Sequence, residues 1–259
     1  MRIGLIGGTG IDEMSCFAGG RASNVETRWG SAQVIESRIE GRDVVFLPRH
    51  GADHLVPPSR INYRAQVAAL KKMNTDAVVS VCAVGSLRAD LVPGSLAVLS
   101  DFIDLTKRRE DTFFDSETGP VVHTDFTRPY CPSVSSAITQ ACSEVDACLE
   151  PDATYVGVEG PRYETPAEIR LYSSWGGDVI GMTNLPEVAL AREAGLCYGS
   201  IAVVTNLACG ISPTPLNHAE VRETMAAAAE KLREVILRAV LYVPITRNCD
   251  CSGNCHLII

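Results

Sequence analysis

The sequence contains no uninterrupted apolar run of the ~18 or more residues that a membrane-spanning helix needs. Its start, Met1-Arg2-Ile3-Gly4-Leu5-Ile6-Gly7-Gly8, has too short an apolar stretch for a secretory leader and turns Gly-rich at once. Together these absences set a cytoplasmic location, with no membrane partner, as the expectation. Basic residues are also in deficit: 23 Lys and Arg face 31 Asp and Glu, a net charge of −8. An acidic surface repels a polyanion, so no nucleic-acid partner is expected, although a local basic pocket for one small anion stays open. Linkers, internal repeats and low-complexity tracts are missing, which argues against a second large domain. Ten cysteines in 259 residues are about half the density that marks a disulfide scaffold. Seven of them (Cys16, Cys82, Cys131, Cys142, Cys148, Cys197, Cys209) are scattered through apolar segments and read as small core residues.

Two periodicities alternate along the chain. Continuous apolar runs at 2–6, 43–47, 76–82, 95–99, 154–158 and 199–205 read as strands buried on both faces. Helical spacing covers 61–73, with Ser59 as its expected N-cap, then 133–149 and 217–241. This alternation predicts an α/β fold with one mixed, largely parallel sheet flanked by helices. One domain over 1–245 and a Cys-rich tail over 246–259 are expected. The polar, unpatterned stretch 104–125 is long enough to be functional or to lie at an interface.

The chemistry gathers at strand ends. The first strand runs into Gly7-Gly8-Thr9-Gly10, where backbone N–H groups can approach an anion closely. The spacing fails the dinucleotide fingerprint, so a single phosphate or a plain tight turn are the alternatives. The second apolar strand ends in Pro48-Arg49-His50-Gly51, an Arg and a His placed where parallel sheets collect ligands. Arg49 is expected to offer phosphate a fork of donors. His50 and His54 lack a third nearby ligand, so no metal is expected there. A third strand ends in Ala83-Val84-Gly85-Ser86-Leu87-Arg88.

These segments, together with Glu159-Gly160-Pro161-Arg162-Tyr163-Glu164-Thr165 and Gly181-Met182-Thr183-Asn184-Leu185-Pro186-Glu187, resemble the purine nucleoside phosphorylase and methylthioadenosine phosphorylase family. The likeness runs in the family's order over roughly residues 1 to 245. It implies cleavage of a nucleoside by phosphate, giving a free purine and a ribose 1-phosphate. It also implies a homotrimer with sites at subunit interfaces, and phosphate as co-substrate with no metal or organic cofactor. By the same resemblance Thr9, Arg49, His50, Ala83 and Thr183 hold phosphate, and Tyr163, Met182 and Ile180 pack on the nucleoside. Glu164, Asn206 and His50 are the groups nearest the chemistry. Cys82 departs from the methylthio branch, which usually has Thr at that position, so one phosphate contact is in question.

Glu164 and Asn206 match positions that bind hypoxanthine and guanine in the purine nucleoside branch. The adenine-specific branch has a small hydroxyl residue and an Asp there instead. An ionised Glu only accepts hydrogen bonds, which suits the N1–H of a 6-oxopurine and not the bare N1 of adenine. For the 5′ end, His123 resembles a histidine lent across the trimer interface in the methylthio branch. His218 resembles one that meets a 5′-hydroxyl in the other branch. A methylthio-type body with a 6-oxopurine pocket implies 5′-methylthioinosine as substrate, giving hypoxanthine and 5-methylthioribose 1-phosphate. Methylthioadenosine, inosine and guanosine are the alternatives. A non-catalytic purine sensor is the rival from another class, and a dehydrogenase is more distant.

The tail carries Cys249-x-Cys251-x₃-Cys255 beside His256. Metal sites favour C-x₂-C loops, and some heat-loving members of this family carry comparable cysteines in disulfides. The pattern leaves a metal knuckle, a redox pair, a crosslink and a plain reduced tail as alternatives, and of these the resemblance implies a stabilising disulfide involving this cluster.

Overall fold

Strand formation follows the apolar runs closely at the centre of the molecule. The computed structural model describes residues 1–8, 11, 19–51, 53, 55–115 and 121–254, without the side chains of His218 and Asn254. Thr9 thus lies outside the described residues, as do Cys255 and His256. Strands β1 (Arg2–Gly7), β4 (Arg42–Pro48), β5 (Thr75–Ser86) and β9 (Cys197–Leu207) lie side by side and all run parallel. Val78, Val79 and Ser80 of β5 are fully buried, as expected for a strand covered on both faces.

The remaining strands are β2 (Arg21–Thr27), β3 (Gly30–Ile39), β6 (Leu96–Asp104), β7 (Leu149–Gly157) and β8 (Val179–Gly181). The sheet order is β2-β3-β4-β1-β5-β8-β7-β6-β9, and β9 also pairs with β5. The strands from β5 through β9 therefore close into a ring, while β2 and β3 extend the other end as an antiparallel flap. The sheet is mixed, with β5–β8 and β6–β9 also antiparallel.

Five helices cover the sheet among the described residues: α1 (Tyr63–Lys72), α2 (Pro132–Glu144), α3 (Pro166–Ser174), α4 (Glu187–Glu193) and α5 (His218–Tyr242). Ser59 does not cap α1. Pro58–Arg60 forms a short 3₁₀ turn and Ile61 is extended, so the helix starts later and the Asn62 carboxamide accepts from the Ala65 N–H at 3.0 Å. Helix α2 stops at Glu144, and Leu149, expected inside it, opens β7. Asn217 caps α5 by accepting from Glu220 N–H at 3.0 Å. Helix α3 carries a complete capping box: Thr165 Oγ1 accepts from Glu168 N–H, and the Glu168 carboxylate accepts from Thr165 N–H. That box fixes the backbone directly after Glu164.

Candidate active site

Parallel alignment of β4, β1, β5 and β9 puts their carboxyl ends on one rim, where the βα connections leave a concave opening. A cavity of about 330 Å³ opens there, within the range of small-ligand sites. Arg49, His50, Cys82, Ala83, Tyr163, Glu164, Ile180, Met182, Thr183 and Asn206 all line it. The structure thus brings together residues from five separated sequence segments. His123 does not line the cavity of its own chain. His218 is the first residue of α5, and its side chain lies outside the described residues.

At one end sits Arg49, fully buried although charged. Such a group demands a partner, and Glu187 supplies it: Nε donates to Oε2 at 2.6 Å and Nη2 to Oε1 at 3.0 Å. Nη2 also donates to Ser80 Oγ at 2.7 Å, and Nη1 donates to the Val81 carbonyl at 2.8 Å. Burial alone works against the charged form, but the Glu187 carboxylate outweighs it and the Arg49 pKa is raised.

Four of the five guanidinium N–H groups are therefore committed to protein acceptors. This corrects the expected fork. The two-donor Nε/Nη2 edge is spent on Glu187, and the remaining N–H on Nη1 is the one available to an anion. Glu187 Oε1 also accepts from Ser80 Oγ and Tyr198 OH, each at 2.7 Å. Tyr198 OH in turn accepts from the Asn184 amide at 3.0 Å. In the sequence Glu187 stands within a motif but carries no visible role, because its partner lies 138 residues away.

His50 faces Gly8 at the same end. Its Nδ1 lies 2.8 Å from the Val56 carbonyl, which can only accept, so that nitrogen carries the proton. A Cβ on Gly8 would lie 3.0 Å from the imidazole Cδ2, tighter than an ordinary contact, so the glycine leaves the ring room beside this backbone. Thr183 completes the cluster, with its N–H held by Tyr155 OH at 3.1 Å. The Cys82 thiol lies beside Ser200, and burial pushes its pKa up to about 11, so it is a neutral thiol.

Glu164 and Asn206 line the cavity too, with Asn206 in register with Gly85 of β5, four residues beyond the Val81 carbonyl that holds Arg49. Glu164 is buried, has no ion-pair partner among the described residues, and its pKa is raised by that burial. Asn206 Oδ1 accepts from Thr205 Oγ1 at 2.9 Å and its Nδ2 donates to the Leu207 carbonyl at 3.1 Å. These bonds orient the amide and leave one N–H and one lone pair. Met182 lies over Gly160, where a Cβ would fall 2.3 Å from Sδ and φ is +67°. Apolar side chains of Ile11, Val56, Pro57, Val221 and Met225 form the remaining wall.

A second residue has no signature in the sequence. Arg109, within the long unpatterned segment, has a side chain only 2% exposed. Its guanidinium donates to the carbonyls of Met182, Leu185, Val158 and Glu159, at 2.6, 2.5, 3.2 and 2.8 Å, and to Tyr63 OH at 3.2 Å. It ties the loops after β7 and β8 together. Glu193 anchors the same segment by accepting from the Phe113 N–H at 2.8 Å. Only the folded loop reveals this function, since no local pattern marks an Arg that bonds carbonyls.

Comparison with known proteins agrees with this geometry. The family model described as Phosphorylase superfamily matches residues 2–241. A probable 6-oxopurine nucleoside phosphorylase of Dictyoglomus turgidum is 47% identical over 98% of this chain and 96% of its own length. A probable S-methyl-5′-thioinosine phosphorylase of Methanocaldococcus jannaschii is 43% identical over 96% of each. Among solved structures, methylthioadenosine phosphorylase from Schistosoma mansoni in complex with adenine superposes with a TM-score of 0.89 at 35% identity, covering 93% of this chain and 91% of that one. The chain, with its buried Arg49–Glu187 pair and its carboxylate and amide across one cavity, is a member of the Phosphorylase superfamily.

Proposed function

We propose that this protein is a phosphate-dependent phosphorylase of 6-oxopurine nucleosides whose preferred substrate is 5′-methylthioinosine. The observation that carries the reading is a division of the cavity into three kinds of wall: a cationic end at Arg49 and His50, a carboxylate and amide end at Glu164 and Asn206, and an apolar flank. Phosphate at the first end sits below the sugar, held by the Nη1 N–H of Arg49, by Thr183 and by the Ala83 and Gly8 backbone; Thr9, assigned to phosphate by the resemblance, lies outside the described residues. Cleavage of the glycosidic bond builds positive charge on the ribose, and the fixed dianion both stabilises it and attacks C1′. The bonding electrons pass to the purine. Asn206 donates its remaining N–H to N7, where that charge gathers, and Glu164 accepts N1–H.

The thioether preference rests on the flank. The side chains of Val221 and Met225, one helical turn apart on α5, and of Val56 and Pro57 line the same cavity and offer no hydrogen bond to a 5′-hydroxyl. The relatives named for 6-oxopurine nucleosides and for methylthioinosine both support a 6-oxopurine base. We further propose that the working form is a homotrimer in which His123 reaches a neighbour's 5′ pocket.

Side-by-side kcat/KM values for methylthioinosine, methylthioadenosine, inosine and guanosine at fixed phosphate test the reading. Methylthioinosine is expected to exceed methylthioadenosine by roughly 10²-fold or more, since two polar contacts mismatch with adenine. Equal turnover of the two removes Glu164 and Asn206 from the purine edge. Hypoxanthine release that does not require phosphate removes the phosphorylase reading.

A further inference from the structure

The C-terminal tail does not pack alone. Cys249 and Cys251 fold against Cys131, the residue before α2, and Cys197, the first residue of β9. The four sulfurs lie within 4.8 Å of one another. Cys249 Sγ is 3.7 Å from Cys131 Sγ and 3.4 Å from Cys197 Sγ, and none of the four is in a disulfide. Among the described residues no disulfide joins this cluster, and Cys255, the third cysteine of the expected crosslink, lies outside them. Three of the four are buried, with Cys249 half-buried.

We propose that Cys131, Cys197, Cys249 and Cys251 form a tetrathiolate site for one Zn²⁺ ion. Tetrahedral thiolate coordination with Zn–S near 2.3 Å puts neighbouring sulfurs roughly 3.8 Å apart, close to the spacing found. Four sulfurs close the coordination sphere, which is the pattern of a structural site with no open position for chemistry. On binding, each thiol passes its proton to solvent and donates an electron pair to the metal. Four thiolates around Zn²⁺ carry a net charge of −2, and the neighbourhood suits it: Arg192 Nη1 lies 3.5 Å from Cys251 Sγ.

Other bonds hold the tail in place for this role. Ser133 Oγ donates to Asn248 Oδ1 at 2.6 Å, and Arg247 Nη1 donates to the Gly195 carbonyl at 2.8 Å. C-x-C spacing alone argues against a metal, but the fold supplies two further ligands from 118 and 52 residues before Cys249. Zn²⁺ would staple the tail to the start of β9, next to Tyr198, which holds Glu187.

The full chain, purified reduced and without chelator, is expected to contain one zinc per chain. A thiol-specific mercurial should release it in proportion to the thiols titrated. Metal-free, reduced protein given Co²⁺ should show the intense visible and sulfur-to-metal charge-transfer bands of a tetrahedral thiolate site. The double variant Cys249→Ser, Cys251→Ser should lose both signals, while Cys148→Ser, at an exposed thiol outside the cluster, should keep them. A reduced, folded wild-type chain that takes up no stoichiometric zinc and gives no tetrahedral Co²⁺ spectrum overturns the proposal, whatever the variants do. The proposal also fails if mass spectrometry finds the four sulfurs in disulfides and their reduction yields no zinc binding.

Discussion

Replacing Glu187 by Gln isolates the pair on which the cationic end depends. The carboxylate takes four hydrogen bonds: one on Oε2 from Arg49 Nε, and three on Oε1 from Arg49 Nη2, Ser80 and Tyr198. Gln keeps one carbonyl oxygen, which suits the three-donor position. Its NH₂ then faces the Arg49 Nε–H, donor against donor, in a site with no water-facing escape. Breaking a buried ion pair by removing one partner costs about 3–5 kcal/mol, because the other charge stays behind. At about 2–4 °C per kcal/mol for a chain of this size, Tm is expected to fall by about 10 °C.

The functional consequence follows from the same geometry. Without the two-point clamp the guanidinium no longer holds its last N–H at the phosphate position. Loss of one charge-assisted hydrogen bond, about 1.5–3 kcal/mol, raises the phosphate KM by about 10- to 100-fold. Nucleoside KM should move far less, since Glu164, Asn206 and Met182 do not touch the pair. Glu187→Asp, one methylene shorter, should recover part of the phosphate KM but not the full Tm. Thermal unfolding by calorimetry and initial rates across phosphate concentrations read both arms. An unchanged Tm refutes the buried-pair argument. A lowered Tm with an unchanged phosphate KM refutes only the role given to Arg49.

Four further outcomes are expected. Arg109→Met, which keeps most of the side-chain volume but leaves several buried carbonyls unpaired, should destabilise by about 2 kcal/mol or more and raise nucleoside KM more than phosphate KM; denaturant midpoints and the two KM values check this. The double change Glu164→Ser, Asn206→Asp should erode or invert the preference for methylthioinosine over methylthioadenosine while phosphate KM stays nearly constant, read from kcat/KM ratios. Burial raises the Glu164 pKa and only the ionised form accepts N1–H, so kcat/KM for methylthioinosine should fall as pH drops through a value above the ordinary carboxylate range; a Glu164→Gln enzyme should lack that limb in its pH profile. Mixing His123→Ala chains with Arg49→Ala chains should restore partial activity, since some hybrid sites then hold both residues. No recovery in hybrids shown to form by native mass spectrometry means self-contained sites.

What the sequence discloses and what it conceals divides along physical lines. Strands β1, β4, β5 and β9 are legible because burial on both faces forces continuous apolar runs, and their ends locate Arg49, His50 and Asn206. Strands β2 and β3 form an exposed flap with mostly polar residues, and β8 has three residues, so none leaves a run to detect. Helix α3 has a local signal in Thr165-Pro166-Ala167-Glu168, a capping-box pattern that starts directly after Glu164.

The concealed part is the polar scaffolding. Arg49 is visible as a cation at a strand end, but a buried cation must be neutralised, and nothing local says by what. The answer sits at the first turn of α4, a helix of seven residues buried on nearly all sides and so without amphipathic signal. Arg109 and the cysteine cluster share this character: each joins segments that topology alone makes neighbours. Cys131 and Cys197 read as small core residues, and only the pairing of the N-terminal end of α2 with β9, through the Cys131 N–H to Tyr198 carbonyl bond at 2.7 Å, carries them to the tail. A sequence written for a packed core and one written for a ligand shell look the same at such positions until the chain closes on itself.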